Sequence, residues 1–188
     1  TTFEIINQVL FFARLFKKSK EKVTNIVFMG MGEPFLNYDN VLDAIRVLND
    51  KDGFGLGARH ISISTVGIKE GIKKFAGEDL QVNIAISLHA PTDELRAKIM
   101  PVNKKYNIAS VLKSVDEYIK KTSRRVMFEY VMIKGVNDSE KCAKELIRIA
   151  RRPLCFVNLI SYNPTGVFKA SPALQIKKFK EILEKAGV

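Results

Sequence analysis

Apolar residues open the chain at Phe3, Ile6, Val9, Leu10, Ala13 and Phe16, a spacing of three and four that lays them along one stripe of a helix. The period changes at residues 26–29, where Ile, Val, Phe and Met run without interruption, as in a β-strand. Val41, Leu42, Ile45 and Leu48 restore the helical spacing, and Gly53, Gly55 and Gly57 mark the loop that leaves it. Residues 60–66, HISISTV, alternate apolar and small polar side chains and predict a second strand, followed by a short helix over 68–75. A further strand lies within QVNIAISLHA, from Gln81, and in the long stretch after it the clearest helix is 108–119. Residues 125–133, RVMFEYVMI, are β-branched and aromatic. They lead through Asn137, Asp138 and Ser139, all good helix N-caps, to a helix over 140–150. CFVNLISYN, 155–163, is the last strand, and a final helix over 174–186 follows Pro164 and Pro172. The reading gives about five strands and six helices.

Strict alternation of strands and helices implies an α/β fold with parallel pairing through right-handed crossovers, in a barrel or in an open doubly wound sheet. The array starts on a helix that no strand precedes, and 188 residues fall short of the roughly 250 of a full eight-unit barrel. The expectation is a partial barrel or a piece of a longer protein. At 46% hydrophobic and 27% charged, the chain can bury an ordinary core, and one domain is the default. No apolar run approaches the roughly 18–20 residues of a membrane span, and the first residues lack the order of a signal peptide, so a cytoplasmic location is expected. Cys142 and Cys155 are too few for a disulfide framework and read as reduced core cysteines. The formal charge of +11 suits a polyanionic partner such as RNA. Single basic clusters, such as Arg124-Arg125 and Lys177-Lys178, are what polar helix faces and helix ends carry anyway, so the net excess weighs more than any one of them.

Parallel α/β proteins bind ligands at the carboxyl ends of their strands, which directs attention to five sets of residues. They are Gly30, Gly32 and Glu33; Ser62, Ser64 and Thr65; Ser87 and His89; Glu129 or Tyr130; and Asn158, Ser161 and Asn163. Glycines let a ligand approach the backbone, and Glu33 offers an anionic acceptor for an ammonium group. A tight turn with a solvated glutamate is the plainer reading of the same residues. The dinucleotide fingerprint would need a third glycine and an immediate helix, and GMGEPFLNYD has neither. His89 can be an acid or base, an aromatic shelf or a satisfied core histidine. Ser62 and Ser64 suit packing inside a barrel, Asn163 before Pro164 suits a turn, and Glu129 has no assigned role.

In order along the chain, FMGMGEPFLNYDNV, ISISTVGI, AISLHAPTDELRAKIMPVNKKY, FEYVMIKGVNDS and VNLISYNP resemble the radical-SAM RNA methyltransferases, which methylate an adenine of 23S ribosomal RNA and, in some members, of transfer RNA. The likeness runs over nearly the whole chain. SLHAP followed by DELR and MPVNKKY is its specific part, and Pro34 after Glu33 resembles the branch that modifies adenine C2 rather than C8. The resemblance implies a partial (β/α) barrel of the radical-SAM type with S-adenosyl-L-methionine at the strand ends. Gly32 and Glu33 would hold the methionyl amino end, Ser64 would contact the cofactor from the next strand, Ser87, Leu88 and His89 would line its ribose and adenine side, and Asn163 would close the site.

The same resemblance implies a [4Fe-4S] cluster on a three-cysteine loop, a methyl-carrying cysteine and an electron donor protein. The loop normally precedes the part matching Thr1, with the first strand, and the methyl-carrying cysteine normally follows the part matching Val188. Neither Cys142 nor Cys155 matches either position. The chain is therefore expected to be the central part of such a barrel and, alone, not to complete the reaction. A non-catalytic RNA-binding α/β module and another radical-SAM enzyme, such as a glycyl-radical activase, are the alternatives. A phosphosugar barrel enzyme is disfavoured because the strand ends carry no lysine.

Overall fold

The computed structural model describes residues 1–188, and these form two compact units. One comprises Thr1–Thr65 with Gly77–Ile84, the other Val66–Ala76 with Ala85–Val188. Five strands make one sheet in sequential order, β1 (Ile26–Phe28), β2 (Ile61–Thr65), β3 (Asn83–Ser87), β4 (Val126–Met132) and β5 (Cys155–Ser161). β1 and β2 pair in parallel, as do β4 and β5. A doubly wound sheet would show a reversal in strand order, so the sequential order matches barrel-type winding.

In the first unit, α1 (Thr2–Lys18) starts with a capping box. Thr1 Oγ1 accepts from the Glu4 N–H while the Glu4 carboxylate reaches back to residue 1, and Lys17 and Lys18 complement the dipole at the other end. No residue of α1 is fully buried, and Phe3, Phe11, Phe12 and Leu15 are exposed. Its tie to α2 (Tyr38–Asn49) includes the Thr2 N–H and hydroxyl, both donating to Asn40 Oδ1 at 3.1 Å. α2 buries Val41, Leu42, Ile45 and Leu48, the stripe read from the sequence. Its Tyr38 hydroxyl donates to Glu78, which also pairs with Arg46.

The second unit holds α3 (Lys69–Phe75), α4 (Asp93–Ile99), α5 (Ile108–Thr122), α6 (Glu140–Ala150) and α7 (Ala173–Lys185). Seven helices replace the expected six because the apolar residues of α4, Leu95, Ala97 and Ile99, lie two apart and show no helical period. Its start is set by Thr92, whose side chain accepts from the Leu95 N–H. Of the three candidate caps before α6, Ser139 is the one used. Along β4, Val126, Phe128, Tyr130 and Met132 are buried, and Tyr130 packs on Phe179 of α7 at 5.5 Å, so Met127, Glu129 and Val131 look to the opposite face.

Gly67, at φ +102°, leads into α3, and a Cβ built there would lie 2.6 Å from Val111 Cγ2. Gly67→Ala combines a left-handed backbone with a steric clash and is expected to cost about 2 kcal/mol or more. Thermal melting of Gly67→Ala in the unmodified chain and in a Val111→Ala background checks this: the substitution costs less in the second, where the clash is relieved and only the backbone strain remains. Equal melting of Gly67→Ala and the unmodified chain would contradict it.

Candidate functional site

Gly30, Gly32, Glu33, Ser62 and Ser64 belong to the first unit. β1 ends in a turn in which Gly30 and Gly32 take φ of +110° and +104°. A Cβ at either would meet nothing within 4 Å, so backbone conformation rather than crowding demands glycine, and the main chain is open on that side. Glu33 then caps a single 3-10 turn, Pro34–Leu36, its Oε1 accepting from the Phe35 N–H at 3.1 Å. The plainer reading of Glu33 is thus partly realised, since one oxygen shapes the turn. Ser64 is buried near the end of β2, and Ser62 receives a long hydrogen bond from Asn83.

The second unit is built around the end of β3. The chain leaves Ser87 and enters a left-handed residue at His89, φ +57°, a conformation that histidine, asparagine and aspartate adopt more readily than bulkier types. Both neighbours hold it there. The Leu88 and His89 N–H groups donate to the Glu129 carbonyl at 3.1 Å, and the His89 carbonyl accepts from Asn137 Nδ2 at 2.7 Å. The Val131 N–H donates to His89 Nδ1 at 3.2 Å. A ring nitrogen that accepts carries no proton, so the neutral ring bears its hydrogen on Nε2, the one ring position left for a ligand. Burial, with the nearby Arg96 charge as a smaller cause, pushes the His89 pKa down to about 4.

Arg96, on α4, has no exposed surface. Its five donors all find oxygen: Nε meets the Leu88 carbonyl at 3.1 Å, Nη1 meets Asn103 Oδ1 and the Tyr106 carbonyl at 2.8 Å, and Nη2 meets the Val66 and Ser87 carbonyls at 2.7 and 3.0 Å. The guanidinium thereby gathers Ser87 and Leu88, Val66 and the turn before α5 around one charge. Asn137 does the same with an amide. It has no exposed surface, gives both N–H groups to the His89 and Val131 carbonyls and accepts from the Ile133 N–H at 2.7 Å.

Leu88 is fully buried with both main-chain groups engaged, so its part is to fix the positions of Ser87 and His89. Ser87 is half-buried. Asn163 is exposed in the loop after β5. From the sequence, DELR carries part of the family resemblance but Arg96 has no role, and Glu129 has none either. The signal for the first was a lone arginine on a short helix beside SLHA. The second is a carboxylate inside an apolar strand, pushed above the usual carboxyl range by burial, with a donated bond from Asn158 pulling the other way.

Cys142 on α6 is buried, and Cys155 opens β5 with its thiol pushed up to about 11 by burial. No group of three or more His, Cys, Asp or Glu side chains is placed to hold a metal ion. No helix is long and apolar enough to cross a membrane.

Comparison with known proteins adds the chemistry that this geometry serves elsewhere. Residues 7–146 match the family profile described as "Radical SAM superfamily". The chain is 50% identical over 185 residues to the "Ribosomal RNA large subunit methyltransferase N" of Nitrosopumilus maritimus, covering 98% of this chain and 53% of that protein. It is 49% identical to the "Probable dual-specificity RNA methyltransferase RlmN" of Caldicellulosiruptor saccharolyticus, covering 98% and 54%. The crystal structure of a radical SAM methyltransferase from Sphaerobacter thermophilus superposes with a TM-score of 0.96 at 43% identity, over all of this chain and 56% of that one. The chain spans about half the length of the curated relatives it matches.

Proposed function

The chain belongs to the radical SAM superfamily, and from that premise we propose that it forms the S-adenosylmethionine-binding part of an RNA methyltransferase acting at adenine C2 of ribosomal RNA and of transfer RNA. Glu33 takes the ammonium group of the methionyl end, beside the open backbone of Gly32. Ser64 and Ser87 offer hydroxyls, His89 offers its Nε2 hydrogen to an acceptor on the nucleoside end, and Asn163 supplies an amide. Leu88 serves by holding its neighbours.

The observation that carries this reading is the His89 junction. A left-handed residue with its ring and both main-chain groups fixed by named partners is a preorganised presentation of one donor, more than a core histidine requires. The donor set also fits the ligand, since a carboxylate answers an ammonium and hydroxyl, imidazole and amide groups answer a nucleoside. The residues present do not fit the iron–sulfur cluster. Such a cluster needs three convergent thiolates, whereas the chain has two cysteines on different elements, one of them a thiol held protonated by burial. No step through that group is assigned to these residues. RNA as a partner is supported by the relatives' names and the charge of +11, and an electron donor protein belongs to the same reading.

Isothermal titration of the chain with S-adenosylmethionine tests the proposal. Binding is expected, and Glu33→Gln is expected to weaken it about 10- to 100-fold, the worth of one charge-assisted hydrogen bond. A parallel titration with an RNA hairpin at two salt concentrations separates the rival. Salt-sensitive RNA binding with no cofactor binding would make the chain a non-catalytic RNA-binding module.

A further inference from the structure

We infer that Asn158 reads the nucleoside end of the cofactor and that Glu129 sets which end of the Asn158 amide faces it. The inference rests on the proposed cofactor site and extends it to two residues on β4 and β5. Glu129 and Asn158 are register partners on these parallel strands, so their side chains stand on the same face of the sheet. Asn158 Nδ2 donates to Glu129 Oε2 at 2.8 Å. An ionised carboxylate only accepts, so it must meet the NH2 end of the amide, and Asn158 Oδ1 is turned away from it. Asn158 is exposed, and its Oδ1 has no partner.

The height of the pair along the strands follows from the main chain. The Glu129 carbonyl receives the N–H groups of both Leu88 and His89. The pair therefore lies level with the residues proposed to line the ribose and adenine, on the face shared by Met127 and Val131. The carboxylate is poorly used as a purely structural group. Glu129 is 2% exposed, and its Oε1 is buried with no hydrogen bond, a state that an apolar side chain of similar size would avoid. What the carboxylate adds is a direction, because it fixes an acceptor toward the open face. An acceptor there suits a ligand that donates, and the nucleoside end of S-adenosylmethionine carries an exocyclic amino group and ribose hydroxyls.

Adenosine, methionine and S-adenosylmethionine, titrated separately, test this. Asn158→Ala is expected to weaken adenosine and S-adenosylmethionine about tenfold and to leave methionine unchanged, whereas Glu33→Gln weakens methionine and S-adenosylmethionine and spares adenosine. Glu129→Gln, which can turn either end of its own amide to Asn158, is expected to reproduce the adenosine loss with an unchanged melting temperature. In nuclear magnetic resonance spectra it is also expected to remove the slow exchange of the Asn158 side-chain NH2. Unchanged cofactor affinity in Asn158→Ala overturns the inference and leaves the proposed function standing. So does a loss confined to binding of an adenine-containing RNA oligonucleotide, or a Glu129→Gln defect that tracks a lowered melting temperature. Absence of binding by the unmodified chain to all three ligands overturns both.

Discussion

Arg96→Met unfolds the second unit at markedly lower urea than the unmodified chain, with a loss of about 4 kcal/mol. Burial holds the guanidinium pKa at about 10, below its usual value, which corresponds to a cost of about 3 kcal/mol for keeping the group charged. Five hydrogen bonds from a charged donor, at roughly 1.5–3 kcal/mol each, outweigh that cost. Methionine removes the cost together with the five bonds, and each buried acceptor that finds no other donor costs about 1 kcal/mol even at the low end of the range. The Leu88 carbonyl already has a second donor, the Ala90 N–H at 2.8 Å. Arg96→Lys keeps the charge but has three donors on a point centre and cannot span the arrangement, so it falls between the two. Urea titration followed by far-UV circular dichroism ranks the three proteins. A methionine variant within 1 kcal/mol of the unmodified chain would mean that the acceptors find other donors and that Arg96 does not hold these segments together.

The second large effect is a loss of stability in mild acid, and it belongs to His89. Its folded pKa of about 4 lies below the ordinary histidine value of about 6.5. The unfolded chain therefore binds the proton more readily than the folded one. The contribution is fully present above pH 6.5 and is lost as pH falls toward 4, and it amounts to about 3 kcal/mol over the window. Glu129, whose pKa is raised by burial, acts in the opposite sense, since its protonation on acidification favours the folded state. The difference between the unmodified chain and His89→Asn isolates the histidine, because asparagine tolerates the left-handed backbone and does not titrate. Chemical denaturation at pH 7.5, 6, 5 and 4.5 should show the two proteins drawing together or crossing as the pH falls. Parallel curves would mean that His89 binds its proton equally well in the folded and unfolded chain.

The elements with a clear period were legible from the sequence. The α2 stripe of Val41, Leu42, Ile45 and Leu48 is buried as read, and residues 140–150 form α6 with the expected bounds. β1 and β5 were each read slightly long, because Met29 and residues 162–163 continue the apolar or extended pattern after pairing has ended. α4 was missed because its apolar residues, Leu95, Ala97 and Ile99, fall at every second position rather than at helical spacing. Gly30 and Gly32 announced a left-handed turn in their residue type. His89, which adopts the same region, did not, because its conformation is imposed by Glu129, Asn137 and Val131 from 40 to 48 residues away. Arg96 and Glu129 were hidden for a related reason. A lone arginine or glutamate in sequence looks solvated, and only tertiary packing turns it into a buried hub with assigned partners.

The handedness at position 89 limits how the protein can change over generations. A backbone at φ +57° disfavours β-branched side chains above all and strains most others, so fewer replacements are tolerated there than at an ordinary loop residue. Glycine or asparagine would satisfy the main chain but would leave the Val131 N–H without its imidazole acceptor. A chain without the ring would leave that main-chain donor to water or to another acceptor, so the cost of a change at 89 is felt in β4.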